Sequence, residues 1–330
     1  MTKTTTSRGK NELKAIKEIE KKYGKGSVTK GNKNLTLDLE CVSTGSYSLD
    51  CAVGGKGIPF GRIIEIFGPE SSGKTTLALH LLANAQKKGY SAAFVDAEHA
   101  LDPRYAERLG VNISDLIISQ PDFGEQALSI VESLVENKIK IIVVDSVAAL
   151  VPKKELDGEM EDMHIGLQAR MMGQALRKLV AITNKSKSLV VFINQTRDKI
   201  GGFAGTTTPG GKALKFYSSV RIDIRRLKTD KEKERSVANQ VSAKVVKSKV
   251  CAPFRVARFA IKFGKGIDRK LELFEWGKKL KLLKRKGSYY SFEGVKGQGK
   301  NGFFKKLKKK TKQKKNFVRA VKEGILKTMK

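Results

Sequence analysis

From Arg62 to Phe67 the chain is almost wholly apolar. It then reads Gly68-Pro-Glu-Ser-Ser-Gly-Lys-Thr75 and passes straight into a helix-patterned segment that ends at Lys88. No other stretch narrows the fold as far. The pattern G-x-x-x-x-G-K-[ST] needs a strand before it and a helix after it, because its glycines turn backbone N–H groups inward and the helix N-terminus adds its positive end. Such a turn holds phosphate. Gly68, Pro69, Glu70, Ser71, Ser72, Gly73, Lys74, Thr75 and Thr76 are therefore the candidate nucleotide cradle. Lys74 is the residue to reach the β- and γ-phosphates, and the Thr75 hydroxyl is the ligand for Mg²⁺.

The flanking pattern repeats. Apolar strand runs recur at 92–96, 116–119, 141–145 and 189–194, separated by helical patterns at 74–88, 103–109, 124–137 and 163–184. Regular alternation of this kind predicts an α/β fold, a parallel sheet with helices on both faces and binding at the carboxyl ends of the strands. Further strands are expected at 219–226, 241–249 and 256–263. Ahead of the core, residues 11–23 place Leu13, Ile16, Ile19 and Tyr23 on one helical face, with Gly24 as the stop. A helix this short needs a surface to dock on. Residues 195–212 have no periodicity and are rich in glycine, which in a compact domain marks a functional or disordered segment.

Carboxylates fall where a phosphate site needs them. Ile141-Ile-Val-Val-Asp145 ends a strand in an acid, the position of a residue that steadies Mg²⁺. Val95-Asp96-Ala97-Glu98 ends another, and period-two alternation sends both acids to one side. Either can serve as the base that activates water, and either can cap a helix instead.

Composition sets the class. The chain has 330 residues, 40% of them hydrophobic, which suits one large domain with small attachments. No apolar run is long enough to cross a bilayer and no secretory signal is visible, so a cytoplasmic protein is expected. Cys41, Cys51 and Cys251 are too scattered for a disulfide framework or a zinc site, and His80, His99 and His164 have no grouping that would hold a metal. The net charge is +33. Residues 267–330 carry 22 Lys/Arg against 5 Asp/Glu, about half of that excess, and read as a small separate domain. Such a chain should collect polyanions, nucleic acid first, although lysine bias on solvated surfaces explains part of the charge.

Taken in order, these motifs resemble the RecA family of homologous-recombination ATPases. The resemblance rests on Tyr23–Ser27 (YGKGS), Ser43–Ser46 (STGS), Gly68–Thr76 (GPESSGKTT), Asp96–Pro103 (DAEHALDP) and Asp145–Leu150 (DSVAAL). Gly166–Met172 (GLQARMM), Phe192–Gln195 (FINQ) and Ala213–Arg221 (ALKFYSSVR) complete it. It implies a P-loop core of the family type at 35–266, with a mostly parallel central sheet flanked by helices. An N-terminal docking helix and linker at 1–34 and a small basic α+β DNA-interacting domain at 267–330 flank it.

The resemblance also implies roles. Glu98 is the general base, and Lys74, Gln195, Lys247 and Lys249 join it in the catalytic set. Gln195 senses the γ-phosphate, and the two lysines reach the neighbouring subunit's ATP. Asp102 and Tyr105 contact adenine, and Thr75 and Asp145 hold Mg²⁺. DNA lies along loops at 157–165 and 196–210. The implied contacts are Ile165, Arg170, Arg177, Arg197, Lys199, Ile200, Phe203, Gly210 and Gly211, with Arg225, Arg226 and Lys244 as the patch for a second DNA. Phe216 is the subunit-interface aromatic. The implied activity is DNA-dependent ATP hydrolysis coupled to strand exchange in a helical filament on single-stranded DNA that pairs with homologous duplex. It serves repair, and the family's further partners are a LexA-type repressor in SOS signalling and filament loaders.

Departures from the family pattern are few. The second loop is about two residues shorter than usual, Ala243 stands where a basic residue is common, Phe263 stands where an adenine-contacting tyrosine is usual, and no acidic run closes the chain. The runner-up reading is a ring-forming helicase or repair ATPase on the same core. The Lys247/Lys249 pair, ALKFYSSVR and the single basic C-terminal domain argue against it. A DNA-coating protein with a vestigial loop is disfavoured because Lys74, Thr75, Glu98, Asp145 and Gln195 are all present.

Overall fold

The computed structural model describes residues 7–25, 27–28, 39–159, 166–198, 206–232 and 234–329. The chain divides into two compact units, Met1–Glu40 and Cys41–Lys330. In the first, helix α1 (Ser7–Tyr23) begins a turn earlier than the sequence pattern predicts. It stops where Gly24 adopts a φ of 94° and bonds back to the Glu20 carbonyl. Leu13, Ile19 and Tyr23 are exposed along it.

The second unit begins with a short antiparallel pair, Cys41–Val42 against Ile58–Pro59, which brackets α2 (Tyr47–Ala52), and then alternates. Its elements are β1 (Arg62–Gly68), α3 (Lys74–Gln86), β2 (Ala92–Asp96), α4 (Pro103–Leu109), β3 (Leu116–Ser119), α5 (Gly124–Glu136), β4 (Ile141–Asp145), α6 (Leu167–Ser186) and β5 (Leu189–Gln195). After α7 (Ala213–Tyr217) come β6 (Val220–Glu232), β7 (Arg235–Ser248), β8 (Val256–Lys262) and β9 (Gly266–Ile267). The sheet order is β9-β8-β7-β6-β1-β5-β4-β2-β3. From β6 to β3 every pairing is parallel, and β7, β8 and β9 extend the sheet antiparallel.

Strand periodicity sorts the core. Ile141 and Val143 pack on one face of the sheet with Leu77, Leu81 and Ala106 of α3 and α4. Ile142 and Val144 pack on the other with Val131 of α5 and Leu176 of α6. An apolar residue at every position is what a strand covered on both faces requires. The β6–β7 hairpin runs well past the strands expected at 219–226 and 241–249. Residues 227–232 and 235–240 are too polar to show alternation, and the ladder itself carries them, with register shifts near Arg226/Lys228 and Asp230/Lys231.

Residues beyond 267 form α8 (Arg269–Lys279), a small antiparallel sheet of β10 (Lys284–Lys286), β11 (Tyr289–Phe292) and β12 (Val295–Gln298), then α9 (Gly299–Lys308) and α10 (Thr311–Thr328). Their apolar cluster, built on Phe303, Phe317, Val321 and Ile325, also takes in Tyr47 and Cys51 of α2. A buried carboxylate fastens the two together. Glu272 accepts from the Ser46 hydroxyl at 2.7 Å, the Tyr47 N–H at 2.9 Å and the Ser48 N–H at 2.7 Å. It thus sits at the N-terminus of α2, where the free N–H groups and the positive end of the helix favour an anion. Asp50 binds Ser43 and Thr44 in the same way, so the Ser43–Ser46 motif is a structural clasp. His80 is structural too: burial drops its pKa to about 4, and its Nε2 accepts the Ile267 N–H at 3.0 Å.

Candidate nucleotide and DNA site

The phosphate turn leaves β1 at Gly68, where the backbone runs so close to β6 that an added Cβ would lie 2.0 Å from the Ile224 carbonyl oxygen. Gly73 caps α3 with a φ of 98°, a left-handed conformation that favours glycine, and a Cβ there would meet Ile261 at 2.4 Å. Helix α3 then starts at Lys74. The Lys74 ammonium donates to the carbonyls of Gly68 at 3.1 Å and Pro69 at 2.7 Å, across the mouth of the loop. Burial draws its pKa down, against the pull of Asp145, Glu98 and Glu70.

Thr75 Oγ1 donates to Asp145 Oδ2 at 2.7 Å, so the two expected Mg²⁺ ligands already meet. Burial pushes the Asp145 carboxyl up to about 6. The Ser72 hydroxyl oxygen is buried without a protein partner. An orphaned polar atom, a cationic side chain and a helix N-terminus facing one turn fit a phosphate with its metal ion. Among the described residues no cluster of His, Cys, Asp or Glu forms a metal site by itself. A cavity of about 300 Å³ opens beside the loop, lined by Ser71–Thr76, Tyr105, Asn239, Ile261 and Phe263. Tyr105 shares a 2.8 Å hydrogen bond with Thr76. Asp102 caps α4 by accepting from the Arg104 N–H. Asn239 and Ile261 escaped the sequence reading because they arrive from β7 and β8, far along the chain.

The structure separates the two acids after β2. Asp96 is buried and spends its carboxylate on the N–H groups of Ala100 and Leu101 and on Gln120. Glu98 instead accepts from Gln195 Nε2 at 3.0 Å and from the Ser146 hydroxyl. The expectation that alternation sends both to one side fails because β2 ends at Asp96, and Glu98 belongs to the turn beyond it. Ser146, the partner of Glu98, carried no signal of its own in the sequence.

Lys247 is engaged by its own chain. Its ammonium donates to the carbonyls of Lys215 at 2.6 Å and Phe216 at 2.8 Å. Burial lowers its pKa, with the charge of Lys249 adding to the effect. The Lys249 N–H is bonded to Ser219, and Phe216 is 68% exposed.

Of the implied DNA contacts, Ile165, Lys199, Ile200 and Phe203 lie outside the described residues, as do 160–165 of the first loop and 199–205 of the second. The second loop's stem is described: Arg197–Asp198 pairs antiparallel with Thr206–Thr207. Gly210 packs against the segment after β4, where a Cβ would meet Val147 at 2.9 Å, and Gly211 against α6, where one would meet Ala169 at 2.7 Å. The Gly210 N–H bonds to Gln168, which also donates to the carbonyls of Val147 and Leu150. Gln168 thus ties α6, the segment after β4 and the end of the loop together. Arg170, Arg177 and Arg197 are exposed. In the hairpin, Asp223 stands opposite Lys244, and Arg225 opposite Ser242, on one face; alternation sends Arg226 to the other. Ala243 corrects the sequence reading. It is fully buried opposite Ile224, so it faces the core, and no charge is missing there from the surface patch.

No described helix is long and apolar enough to cross a membrane. A family profile described as the RecA N-terminal domain matches residues 10–268. The chain is 52% identical over 315 residues to Protein RecA of Caldanaerobacter subterraneus subsp. tengcongensis, spanning 94% of this chain and 92% of that one. Protein RecA of Rickettsia africae is 56% identical over 298 residues, covering 89% of this chain and 87% of its own. For Clostridium acetobutylicum Protein RecA the identity is 54% over 298 residues, with 88% and 85% covered. With the strand–loop–helix cradle and its carboxylates in place, the chain belongs to the RecA family of recombination and DNA-repair proteins.

Proposed function

We propose that this chain is a DNA-dependent ATPase that assembles as an ATP-bound filament on single-stranded DNA and exchanges strands with a homologous duplex. The observation that carries the reading is the position of Gln195. It ends β5, bonds Glu98 beside the phosphate turn, and is followed at once by the glycine-rich segment. A side chain with one neighbour at the nucleotide and the other in a DNA loop converts nucleotide state into loop order.

Within that reading, Lys74 neutralises phosphate charge, while Thr75 and Asp145 hold Mg²⁺, which supplies Lewis-acid polarisation of the phosphate when bound with ATP. Glu98, held by Ser146 and Gln195, orients and deprotonates the attacking water. Asp102 and Tyr105 take the adenine, with Phe263 against the same cavity. Lys247 and Lys249 act on the ATP of an adjacent subunit, which Phe216 helps to dock, so hydrolysis requires assembly. The basic residues of 267–330 receive duplex. A LexA-type repressor and loader proteins rest on family membership. The test measures ATP hydrolysis with and without single-stranded DNA, alongside strand exchange between a circular single strand and a homologous linear duplex. Hydrolysis indifferent to DNA, or no exchanged product, defeats the proposal.

A further inference from the structure

A buried carboxylate lies one strand away from the catalytic set and has no role in the chemistry above. Glu65 of β1 is fully buried. Its Oε2 accepts from Arg221 Nε at 2.5 Å, and its Oε1 from Asn194 Nδ2 at 3.1 Å. Strand register explains the meeting: Glu65 is directly opposite Arg221 of β6, while Asn194 of β5 shares its face of the sheet.

Each partner leads to a functional element. Asn194 is itself fully buried, and its Nδ2 also donates to the Pro209 carbonyl at 3.1 Å, at the far end of the glycine-rich segment. Its Oδ1 accepts the backbone N–H of Gln195 at 3.0 Å. One amide therefore holds both ends of the segment, and its orientation is fixed because donor and acceptor atoms are all engaged. Arg221 stacks its guanidinium 4.5 Å from the centre of the Phe67 ring, just before the phosphate turn, and stands opposite Lys247 in the β6–β7 ladder. A buried anion of this kind is costly unless its donors stay in place, so the network tolerates few arrangements.

We infer that Glu65 is a positioning residue that couples the nucleotide sensor to the DNA-binding segment, by locking the Asn194 amide between Gln195 and Pro209 and anchoring it through Arg221. Glu65 touches no substrate. It acts by making the two ends of the segment one mechanical unit with Gln195, so that order imposed at one end reaches the other. Replacing it with glutamine turns an N–H group toward Arg221 or Asn194 and frees the amide to rotate.

The inference rests on the proposed function, and its test separates the two. Affinity for an oligothymidine strand is measured by fluorescence anisotropy with and without a non-hydrolysable ATP analogue. The ratio of the two dissociation constants is the coupling, and by linkage it is the same whichever ligand is added first. Wild-type protein should show a ratio of about tenfold or more, the usual size of such couplings. A wild-type ratio near one overturns the functional reading itself. In Glu65→Gln the ratio should fall to within about twofold of unity, while affinity for the analogue alone stays within about twofold of wild type. A merely structural role predicts that both affinities weaken and the ratio survives. A preserved ratio in Glu65→Gln therefore overturns the inference. If that variant fails to fold, Asn194→Ser leaves the Glu65–Arg221 pair intact and cuts the bonds to Pro209 and Gln195. It must then lose the coupling, and a wild-type ratio there is equally fatal.

Discussion

Gln195 and Glu98, which are 97 residues apart in sequence, meet through a 3.0 Å hydrogen bond from Nε2 to Oε1 at the carboxyl edge of the sheet. The bond distinguishes Glu98 from Asp96, whose carboxylate is taken by Ala100, Leu101 and Gln120, and Glu98 is the proposed base. A general base contributes roughly 10²- to 10⁴-fold, so Glu98→Gln should lower DNA-stimulated ATP turnover by about that factor while leaving ATP binding intact. Steady-state hydrolysis with an ATP-binding titration checks this, and Lys74→Ala should by contrast lose nucleotide affinity. Normal turnover in Glu98→Gln removes Glu98 from its role.

The Lys247 ammonium is occupied by the carbonyls of Lys215 and Phe216 in its own chain, and the proposed role of Lys247 and Lys249 is at a neighbour's nucleotide. A protein with both Lys247 and Lys249 replaced by alanine should keep its fold and lose DNA-stimulated hydrolysis. Mixed with Glu98→Gln protein, it should regain part of the activity, because some interfaces then combine one intact half-site from each. Absence of rescue in filaments shown to contain both variants would falsify the shared site.

Glu272→Ala should destabilise the Cys41–Lys330 unit by about 3 kcal/mol, since it leaves the hydroxyl and N–H groups at the start of α2 without their acceptor. Urea unfolding followed by circular dichroism measures the shift. A change of only a few tenths would mean that water replaces the carboxylate.

Asp268 caps α8 and pairs with Lys262 at 2.8 Å. Burial works to raise its pKa, but the bond from Lys262, the Leu271 N–H and nearby charges outweigh it, and the net shift is downward. A depressed folded pKa means that the stabilisation is present above the unfolded value of 3.8 and fades as pH falls through the folded one. Asp268→Asn should therefore lower the urea midpoint at pH 7, and the gap to wild type should narrow towards pH 3. A gap independent of pH assigns the loss to packing.

The charge of residues 267–330 is tested by substitution, because truncation would strip Tyr47 and Cys51 of their cover. Replacing Lys305, Lys308 and Lys314 with glutamine should flatten the salt dependence of duplex binding. Every phosphate that a lysine no longer neutralises changes the logarithmic slope by about 0.9. An unchanged slope leaves these lysines as ordinary solvated surface.

What the sequence made legible follows from how local each signal is. From β1 to β5 the strands and the helices between them stand within about four residues of their expected bounds, because apolar runs and helical periods are local. The phosphate turn, Thr75 and Asp145 were legible because strand ends and loop spacing place them. Ser146, Gln168 and Asn239 were not, since each gains its meaning from a residue on another element. The assignment of Glu98 over Asp96 needed the family resemblance; from residue type the two are equal, and only the turn after β2 separates them. Ala243, read as a departure because a basic residue is common there, shows the opposite: strand parity buries it opposite Ile224.

The clasp of Glu272 on α2 spans 226 residues of sequence from its Ser46 partner. A ribosome delivers the N-terminal part first, so α2 emerges long before the carboxylate that completes it. Until residue 272 has left the exit tunnel, the N–H groups at the start of α2 and the buried side chain of Cys51 have only water or a chaperone to cover them. Pairings this distant in sequence also slow folding. The segment that carries the phosphate turn is thus synthesised well before the residues beyond 267 that cover α2, and the docking of these two parts is a late event in folding.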